Sequence, residues 1–168
     1  MFDLIPLVFY VGLLGLAAAW DAATLTIPNW VSGALAASFP IAALSAGLGL
    51  GDIALHFAFG MGMLVVGFFL FQANVFGGGD AKLLAATAVW TGSIAFVPFI
   101  LMTVIAGGVL AGALLAARSR VPFVPGAPPF INRLLEPKGG VPYGIAIMAG
   151  GLAALSALPV APQALTLP

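Results

Sequence analysis

The stretch Gly77-Gly78-Gly79-Asp80-Ala81-Lys82 puts a carboxylate in the middle of a nearly charge-free chain. Three glycines precede Asp80, and a new apolar run, Leu83 to Val89, follows it. An ionisable side chain in a membrane segment is a functional-site hypothesis, and its partner should be named. The best partner is Asp21, at the end of the first apolar run. Two carboxylates held close in low dielectric do not both ionise easily. One keeps its proton, so the pair holds an acid and a base at once. The base draws a proton from water, that water attacks a peptide carbonyl, and the acid protonates the developing oxyanion. The protons belong to the pair rather than to either residue. A helix beginning at Asp80 offers backbone donors as well. Plainer roles stand beside this one. Asp after glycines is a favoured helix N-cap, and Asp21, next to Trp20, suits the headgroup level of a bilayer.

These acids need elements to position them, and composition says what kind. The chain has 168 residues, of which 62% are hydrophobic and 6% charged. A soluble domain carries about 25% charged residues, so this chain cannot cover a water-facing surface and belongs in a bilayer. Five basic residues balance five acidic ones, which gives no case for binding nucleic acid. Without Cys there is no disulfide, thiolate nucleophile or Cys-based zinc site, and a single His leaves no room for a multi-histidine metal site. The start lacks the basic segment of a cleaved signal peptide, so the first apolar run reads as a retained helix.

Six apolar runs compete to span a core that needs roughly 20 residues of helix. They are Leu4 to Trp20, Trp30 to Leu48, Ile53 to Val75, Asp80 to Thr91, Ile94 to Ala117 and Pro142 to Leu158. The second holds Pro40, which removes a backbone donor and predicts a bend. The predicted class is an all-α integral membrane protein with six transmembrane helices and both termini on the non-cytoplasmic side. Lys82, Arg118, Arg120, Arg133 and Lys138 all follow odd-numbered helices, so the positive-inside rule makes that face cytoplasmic. Asp21 and Asp80 follow helices one and three and share it. Asp3, Asp52 and His56 fall on the other face, as solvated helix ends and a structural or interfacial histidine. The fourth run is short, roughly 18 Å of helix against a core of about 30 Å; with its outer end at the far interface near Gly92-Ser93, its start sits in a recess below the cytoplasmic surface, where irregular backbone over 77–79 is tolerated beside a wet cavity.

The chain reads as one membrane domain over 1–168, with 118–140 as a cytoplasmic loop. Five prolines and three glycines keep that loop from being one helix. Within it, Phe130, Ile131, Leu134 and Leu135 have helical spacing, which predicts a short interfacial helix over 129–136. The many Gly and Ala residues inside the runs are a packing signal. Lys82 reads better as a snorkelling anchor than as a catalytic base. Gln72 and Asn74 are equally site-lining or interfacial.

The segment from Gly77 to Ala86 matches the Gly-x-Gly-Asp signature of intramembrane aspartic peptidases. Its longer context resembles the type IV prepilin peptidases, in particular the short form of Flp/tight-adherence pilus systems. Asp21 with Ile27-Pro28-Asn29 resembles the first motif of that family, and Val141-Pro142-Tyr143-Gly144 resembles the last. The resemblance implies a bacterial inner-membrane, multi-pass enzyme that removes the leader of prepilins at the cytoplasmic face. It carries Asp21 and Asp80 over as catalytic residues, and it groups Gly77, Gly79, Lys82, Pro28, Asn29 and Tyr143 around the substrate. The two glycines would let the substrate backbone come close. It implies no metal and no other cofactor. The larger members carry a Cys-containing insertion and N-methylate the mature pilin. With neither insertion nor Cys here, peptidase activity without methyl transfer is the expectation. Family leaders are basic near the cut, and the face they approach carries Arg118, Arg120, Arg133 and Lys138. Recognition should therefore run through the substrate's apolar helix, and neutralising those four residues should leave cleavage largely intact. Two other classes remain open: a small proton-coupled transporter in which the acids relay protons, and a non-catalytic subunit of a pilus or secretion machine.

Overall fold

The computed structural model describes residues 4–121, 123–137 and 139–161. Among them are seven α-helices: α1 Ile5–Thr24, α2 Asn29–Ser45, α3 Leu50–Gln72, α4 Gly78–Thr91, α5 Phe96–Arg120, α6 Pro129–Leu135 and α7 Tyr143–Ala153. A 3-10 turn follows at Leu155–Ala157, and no strand is present among the described residues. Asp3, Lys138 and residues 162–168 of the Pro-rich tail lie outside them.

Three helices, α1, α3 and α5, are long and apolar enough to cross a membrane, and with the apolar surface they make this a membrane protein. The other three expected spans form as helices but stay short. α2, α4 and α7 have 17, 14 and 11 residues. At 1.5 Å per residue they reach about 26, 21 and 17 Å, against a hydrocarbon core of about 30 Å. α7 ends at Ala153 rather than Leu158, and the chain leaves it through the 3-10 turn. α2 passes through Pro40 as one helix. In the turn before that proline, the buried Trp90 indole N–H donates to Leu35 O at 2.7 Å.

α4 is the hub. From Asp80 to Thr91 every residue except Lys82 is buried, which a helix this short achieves only inside a ring of neighbours. α3 and α2 pack on it most, and α7 touches its other side. Lipid tails are as apolar as the side chains, so helices associate through close packing rather than through the hydrophobic effect. The sequence supplies small residues where α3 meets α4. A Cβ on Gly67 would stand 2.9 Å from Ala81 Cβ, and one on Gly60 would overlap the Val89 side chain. α7 enters by the same means. A Cβ on Gly150 would overlap Thr103 Oγ1 on α5, and one on Gly151 would come within 2.8 Å of the Tyr10 hydroxyl on α1.

The far end of α4 is fixed by aromatic contacts. Tyr10 and Trp90 lie 4.8 Å apart, Phe39 and Trp90 5.7 Å, and Phe39 stacks on His56 at 4.7 Å. His56 Nδ1 lies 2.7 Å from Val89 O, one of the last carbonyls of α4, which lack helical partners. The lone histidine is thus a tie on a helix C-terminus.

At the other end, side chains pin the loop after α5. Arg118 donates to Leu134 O and to Gly140 O, each at 2.8 Å, and Arg133 donates to Ala23 O at 2.8 Å. Asn132 bonds both backbone groups of Val124. Arg118 and Arg133 therefore hold α6 against α1 and α5. Neutralising them would release this loop as well as remove charge.

Two glycines on α3, two residues apart and so on different faces of the helix, have different surroundings. Gly60 faces α4, while nothing lies within 4 Å of a Cβ on Gly62. Gly60→Leu should destabilise the folded protein by ~1–3 kcal/mol through overpacking, and Gly62→Leu by much less. Thermal unfolding in detergent reads the difference, and equal losses would refute the α3–α4 contact.

Candidate functional site

α1 does not stop at Asp21. It runs one more turn, to Thr24, and closes where Leu25 turns left-handed at φ 55° and its N–H donates to Asp21 O at 2.7 Å. Asp21 therefore lies in the last turn of the helix, 4% exposed. Its carboxylate is fixed from across the bundle. The Gly144 N–H, in the first turn of α7, donates to Asp21 Oδ2 at 2.8 Å. This amide is one of the N–H groups that a helix start leaves without a backbone partner, and the helix dipole favours an anion there. Space favours glycine as well, since a Cβ on residue 144 would stand 3.0 Å from Asp21 Cβ and 3.1 Å from Oδ2 and would press on the carboxylate.

Asp80 is held in a related way. α4 starts at Gly78, two residues earlier than the glycine run suggests, so only Gly77 is left as irregular backbone. The cause is Asp80 itself. It is the third residue of the helix, and its Oδ2 accepts the Gly77 N–H at 3.2 Å, as an acid at that position does in a capping box. Capping thus engages one oxygen. The other, Oδ1, is buried with no hydrogen-bond partner. A buried oxygen left in that state costs about 1–3 kcal/mol, so it is a point where water or a ligand group would be stabilised.

The two carboxylates line one cavity of about 280 Å3, together with Leu25, Thr26, Ile27, Asn29 and Gly77 to Gly79. The helix-end glycines have internal reasons. A Cβ on Gly77 would stand 2.6 Å from Asp80 Oδ2, and one on Gly79 would stand 3.1 Å from Ile27 Cβ and 3.2 Å from Ile27 N. The space beside both is taken by the chain's own acid and by the α1–α2 connection. That closeness lets the start of α4 reach Asp80's seat.

The remaining sequence candidates divide. Asn29 lines the cavity, and its Oδ1 accepts a hydrogen bond from Lys82 Nζ at 2.8 Å. This bond ties the start of α2 to the first turns of α4, so Lys82 joins the site through Asn29 rather than by lining the cavity. Pro28 is the N-cap of α2. Tyr143 does not line the cavity. Its ring lies 4.9 Å from Phe76, and Gly107 of α5 leaves room for it, so it braces the start of α7 against the residue before Gly77. Gln72 and Asn74 are exposed and outside the cavity lining.

Two participants escape a reading of the sequence. Gly144 is one, although it stands directly after Tyr143 in the Val141-Pro142-Tyr143-Gly144 segment. Leu25 is the other. It is a cavity residue in a left-handed conformation that costs a non-glycine residue roughly 1–2 kcal/mol, and nothing in its type announces that. The sequence also contains a second Gly-x-Gly-Asp, Gly49-Leu50-Gly51-Asp52, at the start of α3. Its Asp52 caps Gly49 N–H at 3.2 Å, as Asp80 caps Gly77, but it is exposed and stands with His56 and Ser93 at the opposite end of the bundle. Among the described residues no group of three or more His, Asp or Glu side chains is arranged to hold a metal ion.

Comparison with known proteins adds one finding. No curated protein and no solved structure matches the chain. The model of the type IV leader peptidase family matches residues 8–112, more than half of the 168 residues. That match contains Asp21, Asn29, the three glycines at 77–79 and Asp80, and it ends before Tyr143 and Gly144. Residues 8–112 thus carry a family signature around the same two acids that converge on one cavity, and the chain belongs to the type IV leader peptidase family.

Proposed function

We propose that this leader peptidase is an intramembrane aspartic endopeptidase whose catalytic pair is Asp21 and Asp80. Its substrates would be Flp-type prepilins or related pseudopilins, cut at the cytoplasmic face of a bacterial inner membrane. The observation that carries the reading is the shared cavity of the two buried carboxylates. A structural role alone does not account for it, because the caps leave Asp80 Oδ1 free.

The chemistry follows from one proton shared between two acids. The ionised carboxylate takes a proton from a water held in the cavity, and the hydroxide equivalent attacks the scissile carbonyl carbon. The protonated carboxyl gives its proton to the carbonyl oxygen. Collapse of the tetrahedral intermediate breaks the C–N bond: the proton taken from water passes to the leaving amine, and one hydroxyl of the intermediate returns a proton to the carboxylate that had given one up. The Gly144 and Gly77 amides hold the two acids in place throughout.

The six-span arrangement supports the placement. If α2, α4 and α7 also cross, Lys82 in the first turns of α4 and Arg118, Arg120 and Arg133 between the end of α5 and α7 all lie at the aspartate end, which favours the cytoplasmic side. Exposed Trp20 and Trp30 flank that end, as interfacial tryptophans do. The chain then forms a single membrane domain with 118–140 as a cytoplasmic loop, both termini lie outside, and the prepilin leader meets the acids near the inner interface. Peptidase activity without methyl transfer is part of this reading.

Co-expression with a candidate prepilin tests it. Asn is nearly isosteric with Asp and can still accept from Gly144 or Gly77. Asp21→Asn and Asp80→Asn should each abolish leader removal, while membrane insertion is retained and stability shifts by less than ~1 kcal/mol. Normal processing by either variant would remove that residue from the pair. A second comparison probes the seat of Asp80. A Cβ on Gly78 makes only ordinary contact with Phe71, at 3.6 Å, whereas one on Gly77 collides with the carboxylate. Gly77→Ala should slow cleavage at least tenfold more than Gly78→Ala, measured as kcat on a purified prepilin in detergent.

A further inference from the structure

A second cavity, of about 420 Å3, runs along the outer side of the bundle where α2, α3 and α4 meet. Asn29 and Lys82 stand at its aspartate end, and Ala36 and Met61 lie among its apolar walls. Asn29 lines both this groove and the cavity of the two acids, so the two spaces adjoin, with one side chain between them. Ser32, one helical turn from Asn29 on α2, also lines the groove. It is 6% exposed, and its hydroxyl has no hydrogen-bond partner. A buried hydroxyl without a partner is uncommon, and an incoming polar group at the groove would satisfy it.

We propose that this groove seats the membrane helix of the peptidase's substrate, lodging a ridge of its side chains between α2, α3 and α4. The inference rests on the leader-peptidase reading and adds where the substrate lies. Three observations select a helix as the occupant. The walls are apolar along the length of the groove, which fits side chains from a membrane segment packing ridge into groove. The polar groups gather at one end, beside the acids, where a substrate chain must leave its helix and extend to be cut. Ser32 supplies a donor and an acceptor along the way, for a backbone carbonyl or a small polar side chain of the seated helix. The Asn29–Lys82 bond then sets the mouth between the seat and the aspartates.

The absence of Cys from the chain makes the test direct. Single cysteines replace Ala36, Met61 or, as a control, Val104, which is exposed on α5. Each is placed in the Asp80→Asn variant and mixed in membranes with a prepilin that carries one cysteine in its membrane helix. Oxidation should give disulfide-linked product from Ala36→Cys and Met61→Cys, and at least fivefold less from Val104→Cys. Equal yields, or none from the groove positions, would overturn the proposal and leave the groove to lipid. A second variant reads kinetics. Nothing lies within 4 Å of a Cβ on Gly33, which lines the groove, so Gly33→Phe fills the seat without a clash inside the protein. It should lower kcat/KM for the prepilin at least tenfold, chiefly by raising KM, with unchanged thermal unfolding. Val104→Phe should cleave at the wild-type rate. Wild-type kinetics from a folded Gly33→Phe would also overturn the seat, while loss of cleavage in Asp21→Asn and Asp80→Asn kept the peptidase reading intact. If those Asn variants still cleaved, the peptidase reading itself would fall, and the seat with it.

Discussion

Two helix starts hold two acids, and most of the structure serves to bring those starts together. Gly144 at the head of α7 donates to Asp21, and Gly77 at the head of α4 is capped by Asp80. A helix N-terminus offers free amides and a positive dipole end, and it is among the few features of a bilayer-embedded chain that can steady a carboxylate without a second charge. Neither acid needs a Lys or Arg neighbour for this. Each keeps one oxygen bound to an amide, and Asp80 keeps the other unbound. Position is thus fixed by backbone amides rather than by a second charged side chain.

That convergence depends on helices that come unusually close and end at different depths. Gly60 and Gly67 bring α3 onto α4, Gly150 and Gly151 bring α7 between α5 and α1, and Gly79 brings the first turn of α4 onto the Ile27 backbone. A methyl group at any of these would push two helices apart or force a neighbour to move. The short helices matter as much. α4 is anchored at its far end by His56, Phe39, Trp90 and Tyr10. With that end fixed, about 21 Å of helix sets where Asp80 can be. Length and anchorage together place the acid, and the apolar wrapping keeps its cavity small.

The connections around the site are tied rather than loose. Leu25 holds a left-handed turn that ends α1 one turn after Asp21. Thr24 and Thr26 share a 2.8 Å hydrogen bond across that turn. Asn29 and Lys82 link α2 to α4, and Arg133 ties α6 back to Ala23. Strain at one residue, surrounded by such ties, is how a fold keeps an unfavourable backbone in place beside a site.

Much of this was legible in the order of residues alone. Charge scarcity demanded a bilayer, the apolar runs marked where helices form, and the basic residues at alternate connections put Asp21 and Asp80 at one end. Even the short helix over Pro129–Leu135 could be read from its apolar spacing. Those features are local or periodic, so they survive without coordinates. What they could not say is which glycine touches what. The sequence holds two Gly-x-Gly-Asp segments, and both start a helix with the same cap. Only the bundle separates them: one acid is exposed beside His56, and the other is buried in a cavity with Asp21. In the same way Tyr143 drew the eye while its neighbour Gly144 makes the bond to Asp21, because an amide donor has no side-chain signature. Position along the chain determined which groups could do chemistry; contacts between residues as far apart as 21 and 144 decided which of them meet, since such contacts exist only once the helices have packed.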